Sequence, residues 1–452
     1  MSSQYWRSLE HLRDAEIPDY CIEQLVKAGA DKAQCVYSAG EKRELNVDAG
    51  EFSLFRTSVN HGISLSVIKD QKKGSLSINK INQEDIDEAV STVLIMAASS
   101  MPDEAYDISE NQPAKSFSKG PAEPELEKMY NRIDEFMDFS GSTFPTTIIE
   151  QAIMDFSLGS SYYRNSNGVA FDETGGSYSV SAMFTSKEGE DISSFNSAGF
   201  SSLDMDTPLH KGGSIERLLK ESAEHVRTKS VPEKFTGEII VTPDCIMNFI
   251  GFVLGNISDY RLIAGTSLFK ESIGEAIANE VLTIHSMPLS NDLSGGYFVT
   301  GDGYEAANAT IINRGILETF LLSLFGSNKT GLDRGPNSGG SLIIDPGKTA
   351  LDEIIKSVQQ GVLLSRFSGG SPSDNGDFSG VAKNSFYIKD GEIQYPISET
   401  MVSGNIVDMF NNIENISKDI VNFGDENFPW IHFGCITVSK IEQEYDTRAF
   451  LN

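Results

Sequence analysis

The chain has 452 residues, a formal net charge of −29 and 39% hydrophobic residues. That length accommodates two domains with full cores, and the ordinary apolar content points to a soluble globular protein. The acidic balance argues against nucleic acid as a partner, because that affinity rests on Lys and Arg neutralising phosphates. The opening MSSQYWRSLEHLRD carries no apolar core of signal-peptide length, and no window suits a membrane span, so a cytoplasmic protein is expected. Cys21, Cys35, Cys245 and Cys435 are scattered among apolar residues and read as reduced core thiols. In such a compartment the Asn-x-Ser/Thr triplets at Asn308, Asn328 and Asn415 carry no glycan.

A first helix is predicted over 22–28, stopped by Gly29. Short strands follow at 33–38, 44–47, 52–57, 62–69 and 74–78, as an antiparallel meander. Asn82 caps a helix whose apolar face is Ile86, Ala89, Val90, Val93, Leu94 and Ala97. Residues 100–124 read as a long surface connection, and 125–139 as a helix. Strand alternation returns over 148–187. Arg56-Thr57-Ser58 with His61-Gly62, set beside Arg164-Asn165-Ser166 with Asn167-Gly168, suggests a weakly duplicated sheet. Ser214 caps a helix reaching about 228.

The composition shifts near 231–235, which divides the chain into residues 1–230 and 231–452. The fold class is α+β: an N-terminal mixed helix and antiparallel-sheet domain, then a β-rich domain. The second domain opens with a strand at 238–242 and a short apolar helix near 245–254. Hairpins turn at Arg314-Gly315 and Asp390-Gly391, a strand and helix occupy 342–344 and 351–359, and a helix follows Ser403-Gly404-Asn405.

Asp345-Pro346-Gly347-Lys348-Thr349 looks like the end of a phosphate-binding loop, but Leu342 stands where that motif needs Gly. The ordinary reading is a turn with Thr349 as N-cap and Asp352 reaching back. No Ser sits in a Gly-x-Ser-x-Gly frame, and no two of the six histidines are three to five residues apart. The histidines are therefore expected to be surface or structural. Asp302, Asp374 and Asp377 lie in Gly-rich loops where Asx-turn chemistry accounts for them, although a cation or peptide amine is an alternative. The loops at 295–303, 335–340 and 369–380 allow close backbone approach, including by an extended peptide added to a sheet edge. Candidate peptide-binding residues are Asp302, Ser338, Gly339, Gly340, Asp374, Asp377, Ser379 and Gly380.

Several phrases together resemble the TldD/PmbA ("modulator of DNA gyrase") family. They are Gly265-Thr266-Ser267 with Gly274, Gly301-Asp302-Gly303, the hairpin at Gly315, and Asp390-Gly391-Glu392-Ile393 through Ser403-Gly404-Asn405 with Asp408-Met409. The likeness spans nearly the whole chain and is strongest from Gly237 onward. In TldD-type subunits a helix after a strand carries His-Glu-x-x-x-His, where two His bind zinc and the Glu is general base. The matching helix here follows Val241-Thr242-Pro243 and reads Gly251-Phe252-Val253-Leu254-Gly255-Asn256. Gly251, Phe252 and Asn256 stand at the first His, the Glu and the second His. The family's C-terminal cysteine ligand has no clear match, since Cys435 reads as core.

The resemblance thus implies a PmbA/TldE-type subunit with no metal and no catalytic residue of its own. Zinc is expected in a TldD-type partner that cuts unfolded peptides or peptide precursors. The alternative is a stand-alone homodimeric peptide-binding scaffold, and a third reading is a hydrolase with an unrecognised site. Most apolar residues of the charge-poor segments 317–327, 362–367 and 428–438 are expected to be core, and the remainder to supply a dimer interface from the C-terminal domain.

Overall fold

The structure, a computed structural model, describes residues 13–440. After a 3-10 turn, the N-terminal half runs α1 (Ile17–Lys27), β1 (Lys32–Asp48), β2 (Glu51–Lys69), β3 (Lys72–Ile78), α2 (Gln83–Ser99), β4 (Lys115–Lys119) and α3 (Leu126–Thr143). It continues with β5 (Thr147–Asn165), β6 (Ala170–Glu188), β7 (Asp191–Ile192), β8 (Asn196–Ser202) and α4 (Ile215–Glu224). The sheet order is β3-β2-β1-β5-β6-β4, with β7 and β8 also on β6.

The duplication is visible in the layout. Each half has a helix, two long antiparallel strands, a short strand and a helix, and the halves meet where β1 pairs with β5. The helices cover one face, because side chains alternate along a strand. Cys35 and Tyr37 at one end of β1 pack under α1 and α2, while Leu45 and Val47 at the other end pack under α3 and α4. The motif alignment suggested above does not survive: Arg56 lies in mid-β2, whereas Arg164 lies at the end of β5.

Other sequence readings shift too. The strands read as 33–38 and 44–47 are one strand, as are 52–57 and 62–69. Gly40 and Gly62 are held inside the ladder by partners on β2 and β1 and do not turn the chain. Turning falls to Ala49-Gly50 and Asp70-Gln71, all at positive φ. The first helix begins five residues early, with Pro18 in its first turn. The surface connection contains β4, which pairs parallel with β6. Asn82 does cap α2, accepting from the Asp85 N–H. Ser214 does not cap α4; its hydroxyl bonds Asp244 Oδ2 at 2.9 Å.

The C-terminal half runs β9 (Phe235–Val241), α5 (Met247–Asn256), α6 (Asp259–Ile263), β10 (Ile284–Ser286), β11 (Ala309–Asn313), β12 (Ile316–Leu317), α7 (Leu324–Thr330) and β13 (Leu342–Ile344). Then come α8 (Leu351–Ser357), β14 (Gln360–Leu364), β15 (Arg366–Gly369), β16 (Asp377–Lys383), β17 (Phe386–Lys389), β18 (Glu392–Pro396) and β19 (Thr400–Asn405). The last elements are α9 (Ile406–Asn411), β20 (Ile413–Asn422) and β21 (Asn427–Lys440). Arg314-Gly315 and Asp390-Gly391 turn with both residues at positive φ, as two-residue hairpins demand. Asn405 caps α9 through the Val407 and Asp408 N–H groups. The helix after the Asp345 turn is capped one residue late: Glu353, not Asp352, accepts from the Ala350 N–H.

The charge-poor segments expected to form an interface are core. Leu317, Phe320, Leu322, Val362, Leu364, Phe428, Ile431, Phe433 and Val438 are all buried in one cluster. Exposed apolar side chains gather instead on β2, at Phe52, Leu54, Phe55 and Val59. Cys21, Cys35 and Cys245 are buried and free; the Cys435 side chain lies outside the described residues. Among the described residues no helix is long and apolar enough to cross a membrane.

Of the ion pairs that cross between the halves, the most buried belongs to a three-residue clasp. Arg217 of α4 pairs with Glu221 at 2.7 Å and with Asp244, which precedes α5; their side chains are 24%, 9% and 18% exposed. Breaking a buried pair by removing one partner strands the others, so Arg217→Ala is expected to lower unfolding free energy by about 3–5 kcal/mol in urea titrations. Burial pushes the Glu221 carboxyl above its usual 4.5 despite Arg217. A raised carboxyl contributes stability below its unfolded value and loses it as pH climbs through the folded one. Wild type should therefore lose stability relative to Glu221→Gln as pH rises above 4.5. A gap that is flat from roughly pH 5 to pH 8 would contradict this assignment.

Candidate functional site

Helix α5 lies directly after β9. Between them the Thr242 carbonyl accepts from the Cys245 and Ile246 N–H groups, and this turn starts the helix. Phe249, Ile250 and Val253 bury one face against the core. Gly251 and Gly255 lie on the opposite face, exposed, and a Cβ at either would meet nothing within 4 Å. They open into a cleft of about 400 Å³. Its other walls are Phe367 and Gly369 of β15, Gly370-Ser371-Pro372, Phe378 of β16, Arg261 of α6 and Ile406 of α9. Phe249, Phe367 and Phe378 form a ring cluster with centroids 5.3–5.8 Å apart. Such tilted and edge-on pairs are favourable packing.

The three degenerate metal-motif positions all belong to this helix. Gly251 offers no side chain. Phe252 is 8% exposed and lies under the Arg261 guanidinium, 5.7 Å from its ring centre. Asn256 is fully buried: its Nδ2 donates to the Phe252 carbonyl at 3.0 Å and its Oδ1 accepts from the Leu268 N–H at 3.0 Å. It staples the helix end to the following loop. Zinc needs nitrogen, sulfur or carboxylate donors at about 2.0–2.3 Å. Glycine and phenylalanine supply none, so these residues do not fit the ion. Among the described residues no group of three or more His, Cys, Asp or Glu could hold a metal.

The eight loop candidates separate into two places. Asp374, Asp377, Ser379 and Gly380 border the α5 cleft. Asp374 pairs with Arg261 Nη1 at 3.1 Å. The amides of Asn405 and Asn375 each donate to Asp377 at 2.9 Å and hold its carboxyl below the usual range. Ser379 faces Ser403 across the β16–β19 ladder, and Gly380 lets the Phe367 ring pass over it.

Asp302, Ser338, Gly339 and Gly340 do not line that cleft. Asp302 accepts from Arg334 Nε at 2.8 Å and Nη2 at 2.7 Å, and from the Leu324 N–H and the Thr300 hydroxyl. Burial alone would raise its carboxyl, but these donors, Arg334 first, hold it below the usual range. Ser338 Oγ accepts from the Gly301 N–H, and the Gly339 carbonyl accepts from the Tyr297 hydroxyl at 2.7 Å. The Gly340 carbonyl accepts from Ser286. Ser338 and Gly339 therefore support the loop at 294–304, which includes Asp302.

That loop roofs a second cleft, of about 620 Å³, which sequence reasoning missed. Its floor crosses mid-sheet through Asn60, Gly40, Gly159 and Gly175, successive cross-strand partners. Lys119 closes one side by donating to the Ser290 and Gly295 carbonyls; Glu173 closes another by accepting from the Phe298 N–H. Burial pushes the Lys119 ammonium down and the Glu173 carboxyl up. The only sequence signal was glycine inside long strand patterns.

The histidines are mostly structural. His225 is buried between the Glu221 and Ser385 carbonyls, His210 stacks on Phe139, and buried His432 meets Glu238 at 2.9 Å. His61 is exposed on β2, and His11 lies outside the described residues. His285 has its Nδ1 3.0 Å from the Thr310 hydroxyl and its Nε2 3.1 Å from Asp345. Three strands far apart in sequence bring that trio together, and it lines neither cleft. The Asp345 loop has no room for a phosphate at Gly347, whose N–H goes to Ser417 and whose Cβ position abuts the Ile416 carbonyl.

Residues 235–440 match the PmbA/TldA metallopeptidase C-terminal domain, and residues 33–97 match PmbA/TldA metallopeptidase domain 1. A metalloprotease of Methanothermobacter thermautotrophicus is 29% identical over 218 residues, 45% of this chain and 48% of that relative. Metalloprotease PmbA of Escherichia coli O157:H7 is 23% identical over 416 residues, 88% of this chain and 90% of the relative. The crystal structure of TldE from Thermococcus kodakarensis covers 93% of this chain and 99% of its own at TM-score 0.80. At 18% identity that likeness concerns the fold.

Gly251 has open space around it in mid-helix, where glycine costs about 0.5–1 kcal/mol relative to alanine. Gly251→Ala is expected to stabilise the chain by about that amount in chemical denaturation. A loss of stability would mean that the cleft is closed in solution.

Proposed function

This chain belongs to the PmbA/TldD metallopeptidase family, and we propose that within it the chain is a PmbA/TldE-type subunit without hydrolytic chemistry of its own. The observation that carries this reading is α5: the helix keeps its place after β9, while Gly251, Phe252 and Asn256 provide neither ligands nor a base. On this reading zinc resides in a homologous TldD-type partner in the cytoplasm. The partner's metal cuts unfolded peptides or precursors, and this chain helps to hold them. Nucleic acid is no part of the scheme, given the net charge of −29.

The surface proposed for pairing with the TldD-type subunit is the outer edge of β2. This strand pairs with β1 along its whole length but with β3 only from Ile63 onward. Residues 51–62 therefore present unpaired backbone, with Phe55 58% and Val59 69% exposed. Glu51 and Arg56 balance each other there, so the segment escapes the acidic repulsion of the remaining surface. A bare apolar edge of this kind is a template for another chain.

Co-expression with a TldD-type partner, followed by metal analysis and a peptidase assay on an unfolded polypeptide, tests the reading. Zinc and activity are expected only when the partner is present. About one zinc per chain in the isolated protein would overturn it; self-association with no affinity for the partner would favour the homodimeric scaffold. The double variant Phe55→Lys/Val59→Lys should weaken pairing at least about tenfold in light scattering or calorimetry, with melting unchanged. Undiminished pairing would place the interface elsewhere.

A further inference from the structure

We propose that the cleft over α5 is an anchoring subsite for the C-terminus of an unfolded peptide: an apolar terminal side chain enters the aromatic cleft and its carboxylate seats on Arg261. This deepens the peptide-holding part of the reading above and rests on it.

Shape is the first support. The cleft exists because side chains are missing from its lining. A Cβ at Gly251, Gly255 or Gly370 would meet nothing within 4 Å. The space of about 400 Å³ holds one large side chain with its own backbone. The Phe249, Phe367 and Phe378 rings give that side chain an apolar wall.

Charge is the second. Arg261 is the cation of this cleft in a chain of net charge −29. Its side chain is 19% exposed, while its ion-pair partner Asp374 is 88% exposed on the neighbouring loop. A pair with one partner so solvated contributes little, so an incoming carboxylate replaces Asp374 at low cost. The guanidinium fork matches a carboxylate in two parallel hydrogen bonds. An ammonium terminus or an internal peptide unit has no such match.

The backbone is the third. Strand β15 pairs with β16 and with no other strand among the described residues. Phe367 and Gly369 of this strand line the cleft, and its second edge is left without a strand partner. An extended ligand can add to that edge as a further strand, which main-chain bonds make tolerant of sequence. Unfolded peptides of varied sequence share two features, an extended backbone and a terminal carboxylate, and the cleft addresses both.

The test uses the full chain and a fluorescein-labelled Gly/Ser decapeptide ending in Phe, as the free acid and as the C-terminal amide. Fluorescence anisotropy should show the acid binding at least about tenfold tighter than the amide. Arg261→Gln should reduce the acid to the amide's affinity, and Asp374→Ala should tighten the acid by freeing the guanidinium. Gly251→Leu, which fills the cleft with a better helix former, should weaken both peptides at least about tenfold without lowering the melting temperature. Equal binding of acid and amide overturns the proposal. So does wild-type affinity in Gly251→Leu, or no binding by either the chain or its TldD-type complex. Failure to pair with a TldD-type chain, by contrast, would defeat the subunit reading and leave this discrimination measurable on the chain alone.

Discussion

Strand β21 sets the geometry of the C-terminal half. Along one edge it pairs with β20 and then β19; along the other it pairs with β13 and then β9. An irregularity between Phe433 and Ile436 on the β9 side falls where the opposite edge passes from β20 to β19. Both walls of the α5 cleft follow from those pairings. β9 leads into α5, β19 leads into α9, and β16 hangs on β19. A one-residue slip of β21 would send Ile431, Phe433 and Val438 to the wrong face. It would also displace α5 from the Phe367–Phe378 wall.

What could be read from the sequence was what local chemistry decides. Arg314-Gly315 and Asp390-Gly391 announce two-residue hairpins, because few residues accept positive φ. Asn82 and Asn405 announce helix starts, because their side chains satisfy N–H groups two or three residues on. That Gly251 and Phe252 offer no metal donor is likewise a matter of residue type on one helix. The long strands were not legible. Gly40 carries a turn signal, and only the sheet contacts with Asn60 and Gly159 override it. The parallel pairing of β4 with β6, the trough floored by Gly40 and Gly159, and the His285 trio are all products of contacts distant in sequence.

Most of the apolar residues in the charge-poor segments are core, for an instructive reason. Scarcity of charge marks a segment that avoids water, and a core strand and a docking surface share that mark. Residues 362–364 and 428–438 belong to β14 and β21, which have sheet neighbours on both sides, so their apolar residues are already committed. The edge of β2 is different in kind. It runs past the end of β3 without a proline, and its bulge lies at the far end beside Val47. Edges of that length are usually blunted by charge, proline or a bulge in mid-strand. One glutamate and one arginine in the twelve residues from 51 to 62 are little protection.

On the proposed subunit reading, Phe252 stands where a TldD-type helix carries its general base, and this has two consequences at once. It removes the carboxylate that would hold and activate a metal-bound water, and with Gly251 bare there is nothing to rebuild the site around. It also lays an aromatic ring beneath Arg261, 5.7 Å from ring centre to guanidinium. A guanidinium over a ring is stabilised without its N–H groups being consumed, so the fork stays available to an anion. A glutamate in the same place would have neutralised Arg261 from below and closed the seat. On that reading α5 is better suited to holding a carboxylate than a His-Glu-x-x-x-His helix would be.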